Sequence, residues 1–107
     1  MSPDQPTGPQ LEVTWDPHKA KSNATKHGVT FAHAATLLLD PLALTTFDAA
    51  HSDFEQRWFT LGMAGTGRLL AVSHTYDPTG NNSVKVRMIS ARDATKSERQ
   101  QYENQPR

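Results

Sequence analysis

Glu55, Arg57 and His74 are residues of this chain whose types could act together. A carboxylate and an imidazole take and give protons, and a guanidinium holds an anion through a planar fork that stays charged. What would bring them together is a hairpin. Glu55 to Met63 and Arg68 to Tyr76 read as two strands joined by the glycine-rich turn Ala64-Gly65-Thr66-Gly67. A loop centred on Gly65-Thr66 sets Met63 opposite Arg68, Leu61 opposite Leu70, Phe59 opposite Val72 and Arg57 opposite His74. That register places all three ionisable side chains on the core-facing side of the sheet, where the apolar ladder ends. Ionisable groups enter such a place only when paired or at its rim, so a structural Glu-Arg-His cluster closing the core is the plain alternative.

Two further segments gather cations: Lys19, Lys21, Lys26 and His27 in one, and Arg87, Arg92, Lys96 and Arg99 in the other. Solvated helix faces would look the same, and Lys26 and His27 at a helix C-terminus also suit the dipole there. His51 sits alone in the loop DAAHSDF, where a histidine is more often a turn-bonding or solvated residue than a catalyst. The histidines show no H-x-x-x-H or other ligand spacing and cysteine is absent, so neither a metal site nor a disulfide is expected, and no cofactor. Eleven basic and eleven acidic residues cancel, which removes any global field toward nucleic acid or membrane. No run is long enough to span a bilayer and no signal peptide is seen, so a soluble cytoplasmic protein without a membrane partner is expected.

The elements that position these residues follow in order. Residues 1–10 hold three of the seven prolines and no apolar period, and read as a disordered tail before a single domain at 11–104. Leu11 to Trp15 alternates as a strand; Asp16 and Pro17 then open a helix as N-cap and N1, which Gly28 closes. On that helix Lys19, Asn23, Lys26 and His27 form a polar stripe. Thr30 caps a second helix that ends at Asp40-Pro41, and Leu42 to Phe47 is a strand.

After the loop DPTGNN, Val84, Val86 and Met88 alternate with Lys85 and Arg87 as the last strand. Arg87 points away from His74 if Val86 shares the Val72 face, and comes alongside it if Ile89 does. Ser90 and Asp93 fit a capping box, so a third helix is expected from Ala91, with Arg92, Lys96 and Arg99 on a basic side. The whole reads as an α+β fold: an antiparallel sheet of about four to five strands packed with two N-terminal helices and one C-terminal helix.

From Leu11 to Glu103 the chain resembles the BrnT family of toxins from type II toxin-antitoxin modules. The resemblance rests on WDPHKAKSNATKHGVTF, HSDFEQRWFTLG, GRLLAVSHT and RMISARDATKSERQQYE, in order. It implies a RelE-like endoribonuclease that halts translation and growth, held in check by a ribbon-helix-helix antitoxin (BrnA-like) through which alone it meets DNA. Metal-independent RNA cleavage needs a base for the 2′-OH, an acid for the leaving oxygen and cations for charge building on phosphorus. Carried over by motif, His27, Glu55, Arg57, His74 and Arg87 become the expected catalytic residues. Lys26, Arg68, Arg92 and Lys96 become the expected RNA-binding ones.

The chain departs from many relatives in one place. They carry an arginine soon after the His-Thr pair and close the last hairpin tightly; here Tyr76-Asp77-Pro78 opens a longer loop. That change and the neutral charge speak for the alternative, a non-catalytic partner-binding module on the same scaffold. RNA binding without chemistry is disfavoured by the lack of exposed aromatics on which bases could stack.

Overall fold

The computed structural model describes residues 10–106, so the expected tail lies outside the described residues except for Gln10, which begins the first strand. Strand β1 (Gln10–Trp15) leads into helix α1 (Pro17–His27), capped where the residue types require. The Asp16 carboxylate accepts the His18 N–H at 3.0 Å, and Gly28 closes the helix at φ 67, a left-handed conformation that favours glycine. Helix α2 (Phe31–Ala35), capped by Thr30, tightens into a 3-10 turn over Thr36–Leu39. Asp40 ends it, its carboxylate accepting the backbone N–H of Leu42 and of Met63.

The sheet has six strands and is mixed, not wholly antiparallel. Its order is β1, β6 (Ser83–Asp93), β4 (Leu69–His74), β3 (Trp58–Met63), β2 (Leu44–Phe47), with β5 (Asp77–Pro78) also on β6. β1 runs parallel to β6, from Gln10 opposite Ser83 to Trp15 opposite Met88. Helices α1 and α2 cover one face, where Phe31, Ala34 and Leu37 meet Leu70, Val72, Val86 and Met88. Helix α3 (Lys96–Glu103) covers part of the other, where Tyr102 joins Leu61, Leu69 and Ala71. Burying both faces explains why β4 is apolar almost throughout.

Three local expectations need correction. First, β6 runs on through Ser90 to Asp93, because β4 offers partners as far as Leu70 opposite Asp93. The capping box falls instead on Thr95 and Glu98, each side chain accepting the other's backbone N–H. Second, Asn23 is buried rather than part of a polar stripe. β1 ends at Trp15, so Ala91 has no strand beyond it there; the Asn23 amide donates to the Ala91 carbonyl at 2.9 Å and accepts its N–H at 3.0 Å.

Third, the β3–β4 register is one residue off the expected one. The Gly67 N–H reaches the Ala64 carbonyl at 2.9 Å and the Ala64 N–H reaches the Arg68 carbonyl at 2.8 Å, with Gly67 at φ 86. A turn followed by a left-handed glycine bulge adds one residue to the loop. Met63 therefore pairs with Leu69, Leu61 with Ala71, Phe59 with Ser73, and Trp58, not Arg57, with His74. A one-residue slip reverses every side chain, so Arg57 and His74 lie on opposite faces.

Candidate active site

The loop at residues 48–57 builds the site. The Asp48 N–H bonds the Arg57 carbonyl at 2.9 Å across its neck. Inside, Ser52 donates its hydroxyl to the Asp48 carbonyl and accepts the Arg57 N–H at 3.0 Å. A 3-10 turn at Ala49–His51 then brings the His51 Nδ1 to the Asp48 carboxylate at 2.9 and 3.1 Å. A carboxylate partner requires a proton on Nδ1, so the neutral ring carries its lone pair on Nε2.

His51 and Arg57 line an open trough of about 500 Å³ on the α3 face, with Phe59, Ser73, Ser90 and Arg92. The trough continues past Phe54 to Glu55, and from Glu55 to Thr75, Tyr76, Lys85 and Arg87. Glu55 accepts a hydrogen bond from Arg87 and stands 3.8 Å from the Arg57 Nε. Arg92 is held by Glu98 through two hydrogen bonds of 2.8 and 3.1 Å and lies 5.9 Å over the Phe59 ring. The Arg92 guanidinium holds the Glu98 carboxyl down at about 2.

Arg57 differs from its neighbours. Its Nε is buried with no hydrogen-bond acceptor among the described residues, and its ion-pair partner Glu55 also serves Arg87. A buried donor left without an acceptor costs about 1–3 kcal/mol.

The remaining expected residues are elsewhere. His74 is buried on the α1–α2 face, its Nδ1 on the Thr75 carbonyl at 2.8 Å and its Nε2 on the Thr60 hydroxyl at 2.7 Å. Burial lowers its pKa, against a smaller opposing effect of the Thr75 carbonyl. Val86 does share the core with Val72, so Arg87 points away from His74, the first of the two arrangements left open by the sequence. Arg68 sits at the hairpin end, its fork held by Asp93 at 2.6 and 2.8 Å and by the Gly28 carbonyl at 3.2 Å. Half-buried His27 lies near that same Asp93, while Lys26 and Lys96 are exposed on their helices.

Glu55, Arg57, Arg87 and Arg92 thus come together, and His27, Lys26, Arg68, Lys96 and His74 do not join them. His51, a lone loop histidine in the sequence, is bound by one turn to a carboxylate through the Asp48-x-x-His51 spacing. Among the described residues no three histidine, aspartate or glutamate side chains gather as a metal site. Nor is any described helix long and apolar enough to cross a membrane.

Comparison with known proteins bears on the same residues. Residues 15–98 match the family model described as "Ribonuclease toxin, BrnT, of type II toxin-antitoxin system". The chain is similar to the crystal structure of the Brucella abortus ribonuclease toxin BrnT, with 25% identity and a TM-score of 0.50 over 81% of this chain and 99% of that one. No curated protein matches it. The matched span runs from Trp15 to Glu98, and the chain belongs to the BrnT family of ribonuclease toxins of type II toxin-antitoxin systems.

Proposed function

We propose that this protein is an endoribonuclease toxin that cleaves RNA in the α3-face trough without a metal ion. Arg57 is the observation that carries the reading: a one-third exposed arginine, its Nε–H without a hydrogen-bond acceptor among the described residues, beside an aspartate-oriented histidine. His51 Nε2 takes the 2′-OH proton as the 2′-oxygen bonds to phosphorus, and Asp48 stabilises the imidazolium that results. Arg57 holds the non-bridging oxygens as charge builds on them. Breakage of the P–O5′ bond leaves a 2′,3′-cyclic phosphate, and the 5′-oxygen takes its proton from water in the open trough. Glu55 anchors Arg87, and Arg87 and Arg92 carry the flanking phosphates. Metal independence is supported by the engagement of two of the trough's carboxylates: Glu55 is shared between two arginines and Asp48 is held on His51.

His27, Lys26, Arg68, Lys96 and His74 take no part in bond cleavage in this reading. On its RelE-like scaffold the toxin acts on RNA in the cytoplasm to inhibit translation and growth. A ribbon-helix-helix antitoxin neutralises it and supplies the contact with DNA. The test is incubation of RNA with the purified chain in excess EDTA, with end-group analysis. Cyclic phosphate or 3′-phosphate ends are expected. Cleavage that requires added magnesium, or 3′-hydroxyl ends, overturns the mechanism; no cleavage and no growth arrest leave the non-catalytic partner-binding module.

A further inference from the structure

Across the sheet from Arg57 lies a second groove of about 500 Å³ that no step above uses. Leu11, Leu38 and Val86 make its apolar wall, Trp58 and Tyr76 its aromatic side, and Thr45 stands at its polar edge. The sequence suggested no exposed stacking aromatics, but the fold supplies them. Phe47 and Tyr76 are 45% and 44% exposed and flank Trp58 with ring centroids 5.2 and 6.3 Å away. The Trp58 indole N–H is buried with no acceptor among the described residues.

The polar edge has a definite hydrogen-bond direction. His74 Nδ1 meets a carbonyl, so it carries the proton, and Nε2 must accept. Thr60 therefore donates its one hydroxyl proton to His74, and Thr45, 2.8 Å from Thr60, donates its own to Thr60. Thr45 is left with lone pairs alone. A ligand on that oxygen must bring an N–H or O–H.

We propose that this groove is a nucleobase subsite of the RNA-cleaving trough, in which a base lies against Trp58 and Tyr76 and gives an exocyclic amine hydrogen to Thr45. The inference rests on the ribonuclease reading. Continuity supports it: Tyr76 lines both this groove and the part of the trough that holds Glu55 and Arg87, so one RNA strand reaches both around the end of the sheet. Aromatic faces accept any base by stacking; Thr45 adds the selection. Adenine and cytosine project an amine at the base edge. Uracil offers only an imino N3–H flanked by two carbonyl oxygens, a weaker partner for a lone hydroxyl acceptor than a projecting amine.

Trp15→Phe leaves Trp58 as the one tryptophan, so its fluorescence reports the groove in the otherwise complete chain. The probes are 2′-O-methyl hexamers of adenosine and of uridine, which lack the attacking hydroxyl. The adenosine hexamer is expected to quench Trp58 and bind about three- to tenfold more tightly. Thr45→Val removes that preference, Thr45→Ser keeps it, and Tyr76→Leu weakens both hexamers. Equal binding of the two hexamers, or a preference that survives Thr45→Val, overturns the subsite while RNA cleavage by the parent protein still stands. Failure of the parent to bind or cleave any RNA removes the ribonuclease reading and the subsite with it. If Thr45→Val and Tyr76→Leu abolish capture of the antitoxin and leave RNA binding unchanged, the groove is the antitoxin's and the subsite is refuted.

Discussion

The two ends of β4 hold nearly the same residue types in opposite states. At the hairpin end Arg68 meets Asp93 near His27; at the loop end Arg57 meets Glu55 near His51. The length of β4, Leu69–His74, separates them, about 17 Å at the rise of a strand. Arg68 has its fork closed on a carboxylate and a carbonyl, and Asp93 is held below its ordinary pKa chiefly by that bond. Arg57 has an unpaired, buried Nε and a carboxylate it must share. Residue type does not distinguish Arg57 from Arg68; what does is whether the fold itself satisfies the donors of the guanidinium.

Substitutions at the two ends should therefore separate activity from stability. His51→Ala is expected to lower RNA cleavage about 10²- to 10⁴-fold with the melting temperature little changed, since the imidazole is 68% exposed. Arg57→Ala should cost about 10²- to 10³-fold, and Arg57→Lys should restore little, a point charge being a poor substitute for a fork. Single-turnover cleavage beside thermal melting checks both. At the hairpin end Asn23→Ala should do the reverse. It strips partners from the buried N–H and carbonyl of Ala91, costing about 2–4 kcal/mol in a denaturant titration while the folded fraction cleaves at the parental rate.

The pH dependence of stability sharpens the same contrast. His74 is kept neutral by burial, so its folded pKa lies below the unfolded value of about 6.5. The unfolded chain then binds more protons, and the His74 contribution is complete above that value and is lost as pH falls through it. Melting temperature should drop between pH 7.5 and 5.5, and less so in His74→Gln. Glu98, held at about 2 by Arg92, contributes stability above about 4.5 that disappears as pH falls toward 2. Glu98→Gln should flatten that lower limb, by the smaller amount expected for a partly exposed pair.

Much of the scaffold was legible because local chemistry and tertiary structure agree there. Asp16, Pro17 and Gly28 bound α1 as their types demand, and Thr30 caps α2. Where two local signals competed, packing decided. The expected capping box at Ser90-x-x-Asp93 gives way to Thr95-x-x-Glu98, which has the same spacing, because Asp93 is taken into β6 opposite Leu70. Gly65 and Gly67 both suit a turn; the left-handed bulge at Gly67 moved the register by one and carried Arg57 to the other face. The pairing of His51 with Asp48 depends on a loop closed through Ser52, which residue types alone do not announce.

The central claim is that the loop end, and not the hairpin end, cleaves RNA. Arg57→Ala and Arg68→Ala, each checked for fold by circular dichroism, should be compared for single-turnover cleavage of one RNA in excess EDTA. The account predicts a loss of at least about 10²-fold for Arg57→Ala and a rate within a fewfold of the parent for Arg68→Ala. Parental activity in Arg57→Ala, or its loss in a folded Arg68→Ala, would contradict it.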